Sequence, residues 1–242
     1  MSRLAALVFD VDGTLADTEE LHRRAYNEAF RGFGLNWEWD PETYQGLLGV
    51  SGGPARIHAH IDRLAAPAAE KTRLRRTAAG LHAEKTRIYG ELLDAGGALL
   101  RPGIAELTAE ARAAGLQIGF VSSSASSNLV LLLARAFGTR AAPPAALAST
   151  DQVARKKPAP DVYELMIATL RLPATACVAF EDSQNGVLAA KAAGLFTVAV
   201  PSRWTSVQDL SAADVLLPSL AGLGLEKLEA LRARSALREV RA

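Results

Sequence analysis

The chain has 242 residues, of which 49% are apolar, with a formal net charge of +1 and one cysteine. So even a balance supplies no global field for nucleic acid or an anionic membrane, and a lone Cys177 excludes a disulfide within the chain. No apolar run reaches the roughly 18 residues of a membrane helix, and no basic stretch precedes a long apolar one, so a soluble, cytoplasmic protein is expected.

The first element is an apolar run over 4–9 that stops on Asp10-Val11-Asp12-Gly13-Thr14. It reads as a short buried strand that delivers two carboxylates onto a glycine turn. Like charges in a confined site call for a cation or a shared proton. A hard divalent cation such as Mg2+ answers that need and pairs naturally with phosphate. The plainer reading is a strand end followed by an Asp-Gly turn.

From 17 to about 97 the pattern is helical and holds no convincing strand. Asp17 or Thr18 with Glu20 resembles a capping arrangement for a helix reaching about Gly32. Asp40-Pro41-Glu42 opens a second helix and Gly53-Pro54 a third. One long helix or a pair covers 68–94, and Asp94-Ala95-Gly96-Gly97 reads as a return hinge.

Beyond it, strand-like runs at 116–121, 145–149, 176–180, 196–200 and 214–217 alternate with helical patterns. These helices span about 102–114, 126–136, 160–170 and 183–193, with Pro near several starts and Gly past two of the ends. Cys177 falls in an apolar run and reads as a small core residue. The C-terminal pattern over 223–240 is amphipathic. Strands alternating with helices of this length predict βαβ units. The expected fold is therefore α/β: a Rossmann-like parallel sheet flanked by helices, built from 1–16 and 98–242, with an all-helical cap at 17–97 inserted after the first strand. In such sheets the site lies at the carboxyl ends of the strands, so the insertion would cover it.

Four strand-end segments fall at that rim: Asp10 to Thr14, Ser122-Ser123-Ser124, Lys157 before Pro-Ala-Pro-Asp, and Glu181-Asp182. Each has a bland alternative: a polar loop, a solvated lysine, an anionic helix start. Together they supply what phosphoryl transfer needs: a nucleophile, a metal site, neutralisation of phosphate oxygens and proton handling at the leaving oxygen.

This set resembles the haloacid dehalogenase superfamily of phosphatases and phosphomutases, whose pattern it repeats in order over essentially the whole chain. The resemblance implies that Asp10 attacks phosphorus as the nucleophile and Asp12 acts as acid and then base. It implies Mg2+ held by Asp10 and Asp182, by the backbone carbonyl of Asp12, and by Glu181 directly or through a neighbour. Ser122 and Lys157 would hold the phosphoryl oxygens, helped by backbone N–H groups around Gly13 and Ser123.

Asp17-Thr18-Glu19-Glu20-Leu21-His22 is similar to the subgroup of β-phosphoglucomutase and the CbbY-type sugar-bisphosphate phosphatases. Glu19 and His22 share a helix face, as do His82 and Lys85. From the cap, Glu19, His22, Tyr44, Lys85 and Arg87 are the candidate substrate-binding residues, while Trp37 and Trp39 are expected in the cap core. Lys156 and the cluster Lys71, Arg73, Arg75 and Arg76 read as solvated charges. His58 and His60, two apart, are assigned no metal. In the mutase, a Gly-Val-Ser segment is followed by an arginine that grips the distal phosphate. Here Gly49-Val50-Ser51 is followed by Gly52-Gly53-Pro54, and Arg56 comes several residues late. The departure disfavours the mutase.

The CbbY resemblance implies a Mg2+-dependent phosphatase that hydrolyses xylulose-1,5-bisphosphate, a Rubisco misfire product, to xylulose 5-phosphate; a monomer is expected. The alternatives are β-phosphoglucomutase or a broad-specificity sugar-phosphate phosphatase. A non-catalytic sugar-phosphate sensor is more remote, since both Asp10 and Asp12 are present. A dehalogenase is disfavoured, having no need of Mg2+.

Overall fold

The six apolar runs become six parallel strands in the computed structural model, which describes residues 3–96, 99–124, 126–138 and 144–239. They are β1 (Ala6–Asp10), β2 (Gln117–Ser122), β3 (Ala146–Ser149), β4 (Cys177–Glu181), β5 (Phe196–Ala199) and β6 (Val215–Leu216), in the order β3-β2-β1-β4-β5-β6. β1 is central, flanked by β2 and β4. Because strand side chains alternate between faces, Leu7 and Phe9 enter one core and Ala6 and Val8 the other. On the first face Phe9 stacks on Phe180 at 4.6 Å. Helices α5 (Ile104–Ala113), α6 (Ser126–Phe137) and α9 (Leu225–Glu239) cover that face. The second face carries small residues, Ala6, Ala148, Cys177 and Ala179, and takes α7 (Asp161–Leu170) and α8 (Gln184–Ala192). This two-sided cover is what a parallel sheet requires.

Between β1 and α5 run α1 (Glu19–Gly32), α2 (Pro41–Leu47), α3 (Gly53–Arg63) and a single long α4 (Ala68–Asp94). Asp40 caps α2, accepting from the Thr43 N–H at 2.7 Å, with Pro41 behind it. The cap expected for α1 does not form: Thr18 sits at the N-cap position, but its hydroxyl donates to Asp12 instead. The amide of Asn27 pins Trp39 by bonding both its N–H and its C=O. Tyr26, Phe30, Trp39, Tyr44, Leu47, Ile57 and Ile61 form an aromatic and aliphatic cluster of their own. The lower parts of α1 and α4, through Leu21, Ala25, Ala29, Ile88, Tyr89 and Leu93, instead join the core of the sheet. Gly97, the end of the expected hinge, and the 97/98 boundary lie outside the described residues. Among the described residues no helix is long and apolar enough to cross a membrane.

Candidate active site

Strand register assembles the chemistry. Phe9 of β1 lies opposite Phe180 of β4, and Asp10 lies opposite Val121 of β2. The next residues on those neighbours are Glu181 and Ser122, so distant stretches of sequence end side by side. Asp10, Glu181 and Asp182 each bring a carboxylate oxygen to within 4.8 Å of the others, all of them buried. Lys157 Nζ donates to Asp10 at 2.6 Å and to Glu181 at 2.5 Å, and the Tyr163 hydroxyl donates to Glu181 at 2.6 Å. Two glycines make room: a Cβ at Gly13, whose φ is +91°, would overlap the Asp182 carboxylate, and one at Gly186 would overlap Glu181.

Three buried carboxylates face one lysine. Burial, then Glu181 beside them, pushes Asp182 up to about 8 and Asp10 well above the carboxylate range, Lys157 opposing the rise at Asp10. Lys157 is driven up by Asp10 and Glu181 despite its own burial. Such a cluster lacks positive charge, and its all-oxygen donor set suits a hard divalent cation. Asp10, Glu181 and Asp182 could hold one.

Asp12, two residues on, turns its carboxylate towards the helices. One oxygen accepts from Thr18 Oγ1 at 2.7 Å and His22 Nε2 at 3.0 Å, the other from Ser124 at 2.9 Å and Ser122 at 3.1 Å. Burial works against ionisation of Asp12, but attraction to His22 and the bonds from His22, Thr18 and Ser124 outweigh it and hold the carboxyl far below its usual range. His22 stacks on Tyr89 at 3.9 Å. Its other ring nitrogen lies 2.6 Å from Lys85 Nζ. Burial and Lys85 pull His22 below its ordinary value, against Asp12; the ring bridges Asp12 at Nε2 and Lys85 at Nδ1. Burial pulls Lys85 itself down to about 7, with Arg56 adding to the effect and Asp12 and Glu19 opposing it.

Two cavities meet here. One, of about 70 Å³, is lined by Asp10, Lys157, Asp182 and Thr205; the other, of about 220 Å³, by His22, His82, Lys85, Asn128 and Lys156. Asp12, Glu19, Arg56 and Ser123 line both.

Glu19, His22 and Lys85 line the larger cavity with Asp12, whereas four other candidates are placed differently from them. Arg87 is not at the cavity: two residues from Lys85, it lies well round the helix, where it pairs with Glu84 and Glu91 on an exposed face. Tyr44 is fully buried and lines neither cavity; its hydroxyl donates to Glu19 at 2.5 Å and accepts from Arg56 at 3.1 Å. The Gly13 N–H is already bonded to Ala16 O, closing the turn on itself, and is not available to a phosphate. Ser122 is wholly buried with its hydroxyl on Asp12, leaving Ser123 as the serine common to both cavities.

Sequence reasoning passed over Arg56, Ser124, Asn128 and Lys156 as site residues. Lys156 is exposed yet lines the larger cavity. Arg56 sits in the first turn of α3 and lines both cavities. The helix start at Gly53-Pro54 was the signal that could have found it.

These features are those of a phosphoric monoester hydrolase: buried acidic strand ends with a lysine between them, roofed by helices. The haloacid dehalogenase-like hydrolase family matches residues 4–194, and the chain belongs to it. It is 43% identical over 230 residues to "Protein CbbY" of Rhodobacter capsulatus, covering 94% of this chain and 99% of that protein. A crystal structure of an aspartate-to-asparagine mutant of CbbY from Rhodobacter sphaeroides with xylulose-1,5-bisphosphate superposes with a TM-score of 0.83 at 41% identity, covering 93% of this chain and 99% of that one. A β-phosphoglucomutase from Clostridium difficile shares the fold, with a TM-score of 0.75 at 22% identity over 97% of this chain and 99% of that one. The chain is a CbbY-like phosphatase of the haloacid dehalogenase fold.

Proposed function

We propose that the chain is a Mg2+-dependent sugar-bisphosphate phosphatase that hydrolyses xylulose-1,5-bisphosphate to xylulose 5-phosphate and phosphate. Residues 17–97 act as its cap, and its place is the removal of a misfire product of Rubisco. The observation that carries this reading is the pairing of two contiguous cavities that each offer cations: Lys157 beside Asp10 and Asp182 in the small one, Lys85 and Lys156 in the larger, and Arg56 in both. A ligand with a phosphate at each end answers both, and the CbbY complex with xylulose-1,5-bisphosphate supports that choice. Arg56 removes the sequence argument against a mutase, so the preference for hydrolysis rests on the CbbY likeness.

In this reading an Asp10 oxygen attacks phosphorus and the P–O bond to the sugar breaks, giving an aspartyl-phosphate. The departing sugar oxygen takes its proton from Asp12. Water then loses a proton to Asp12 and attacks phosphorus, releasing phosphate and restoring the Asp10 carboxylate. A Mg2+ held by Asp10, Glu181 and Asp182 would supply charge neutralisation for the phosphoryl oxygens. Lys157 contributes a further positive charge beside Asp10. The network around Asp12 favours its anion and so suits the second step; the acid step requires Asp12 to give up part of that network to the sugar oxygen.

The test is a product analysis of the purified protein with Mg2+ against xylulose-1,5-bisphosphate and β-glucose 1-phosphate. Stoichiometric phosphate release from the bisphosphate is expected. Efficient conversion of β-glucose 1-phosphate to glucose 6-phosphate, with little free phosphate, would refute hydrolysis as the activity.

A further inference from the structure

One turn of the chain touches both halves of the site. After β5 the backbone passes through Pro201-Ser202-Arg203-Trp204-Thr205. Thr205 Oγ1 donates to Asp182 at 2.9 Å, and the same oxygen accepts from the Ser202 N–H at 3.0 Å. The preceding side chain, Trp204, is 5% exposed and belongs to the aromatic cluster of the helices. It meets Tyr44 edge-on at 5.5 Å and 90°. Its carbonyl accepts from Gln45 Nε2 at 3.1 Å. Tyr44 in turn holds Glu19 and Arg56, which line both cavities.

We propose that the turn 202–206 is a positioning element for the reaction: Thr205 orients the Asp182 carboxylate, and Trp204 sets Tyr44 and, through it, Glu19 and Arg56. The inference rests on the reading of Asp182 as a cation ligand. Trp204 lines neither cavity, and Thr205 lines the small one beside Asp182. The turn has few ways to move one residue without the other, because Ser202 bonds Thr205 and the Trp204 N–H within it. Cation binding at Asp182 is therefore transmitted to α2, the helix that carries Tyr44 and Gln45.

Replacing Trp204 with Ala would open a large cavity and threatens folding. The cleaner variants are Thr205→Val, which keeps shape and loses the hydroxyl, and Thr205→Ser, which keeps it. Two readouts on the full chain decide: Mg2+ affinity by calorimetry, and amide hydrogen exchange of residues 41–47 with and without saturating Mg2+. In the unaltered protein Mg2+ should slow that exchange by about fivefold or more. Thr205→Val should weaken Mg2+ binding by about tenfold and, re-saturated with Mg2+, lose most of the slowing; Thr205→Ser should recover both. The proposal is overturned if Mg2+ binds yet leaves 41–47 unchanged in the unaltered protein, or if Thr205→Val behaves like it. Absence of any Mg2+ binding would instead defeat the reading of the acidic cluster, and this inference with it.

Discussion

The strand rim and the helical side of the cavity are held by different means. At the rim, neighbours are fixed by backbone register, and buried charges are set against one another at 2.5–2.6 Å. On the helical side, Glu19, Arg56 and Lys85 come from α1, α3 and α4, and each is held by an aromatic or an imidazole: Tyr44, His22, Tyr26 or Tyr89. In the proposed function the first arrangement sets the reaction and the second selects the molecule. Substitutions on the two sides should therefore fail in different ways.

The largest effect is expected at the rim. Asp10→Asn should lower phosphate release by about ten-thousandfold or more from bisphosphate and from p-nitrophenyl phosphate alike. Comparable loss on only one of the two would blur the division of labour. Glu181→Gln should weaken Mg2+ binding by about 10- to 100-fold, read by calorimetry.

On the helical side, Lys85→Met separates binding from stability. Lys85 is pulled down to about 7 from an ordinary 10.5. The unfolded chain holds the proton more tightly, so the fold carries a penalty that is full below about 7 and fades as pH rises towards the ordinary value. Lys85→Met should raise Tm by about 3 °C or more near pH 6, with the gain shrinking at alkaline pH, while KM for the bisphosphate rises. In the unaltered protein KM should climb as pH passes upward through about 7, where Lys85 loses its charge. The smallest effect belongs to Arg87: its exposed pairs with Glu84 and Glu91 leave the cavity untouched, so Arg87→Ala should change KM by less than about twofold.

The same contrast explains what was legible in the sequence. Apolar runs gave every strand, and those of β1 and β4, which end in acids, brought Asp10, Glu181 and Asp182 to one rim, because parallel pairing leaves little freedom in where strand ends meet. Helical spacing disclosed that Glu19 and His22 share a face, but not that Arg87 faces away from Lys85's side. Thr18 looked like a helix cap because nothing local tells its hydroxyl that Asp12 is a better acceptor. The Gly13 N–H looked free because the closing bond to Ala16 depends on how the turn folds back. Arg56 was set aside by counting from Ser51, whereas a helix begins between them and shortens the distance along the axis. Tyr44, a candidate substrate contact from the sequence, packs as a prop for Glu19.

The most direct test of the division between rim and roof is the selectivity of Arg56→Ala. Its kcat/KM for xylulose-1,5-bisphosphate should fall by about thirtyfold, the loss of a charge-assisted contact worth ~2 kcal/mol. Its kcat/KM for p-nitrophenyl phosphate, which has no second phosphate, should stay within about twofold of the unaltered protein. Equal losses on both substrates would place Arg56 in the phosphoryl-transfer machinery and contradict the assignment of substrate choice to the helical side.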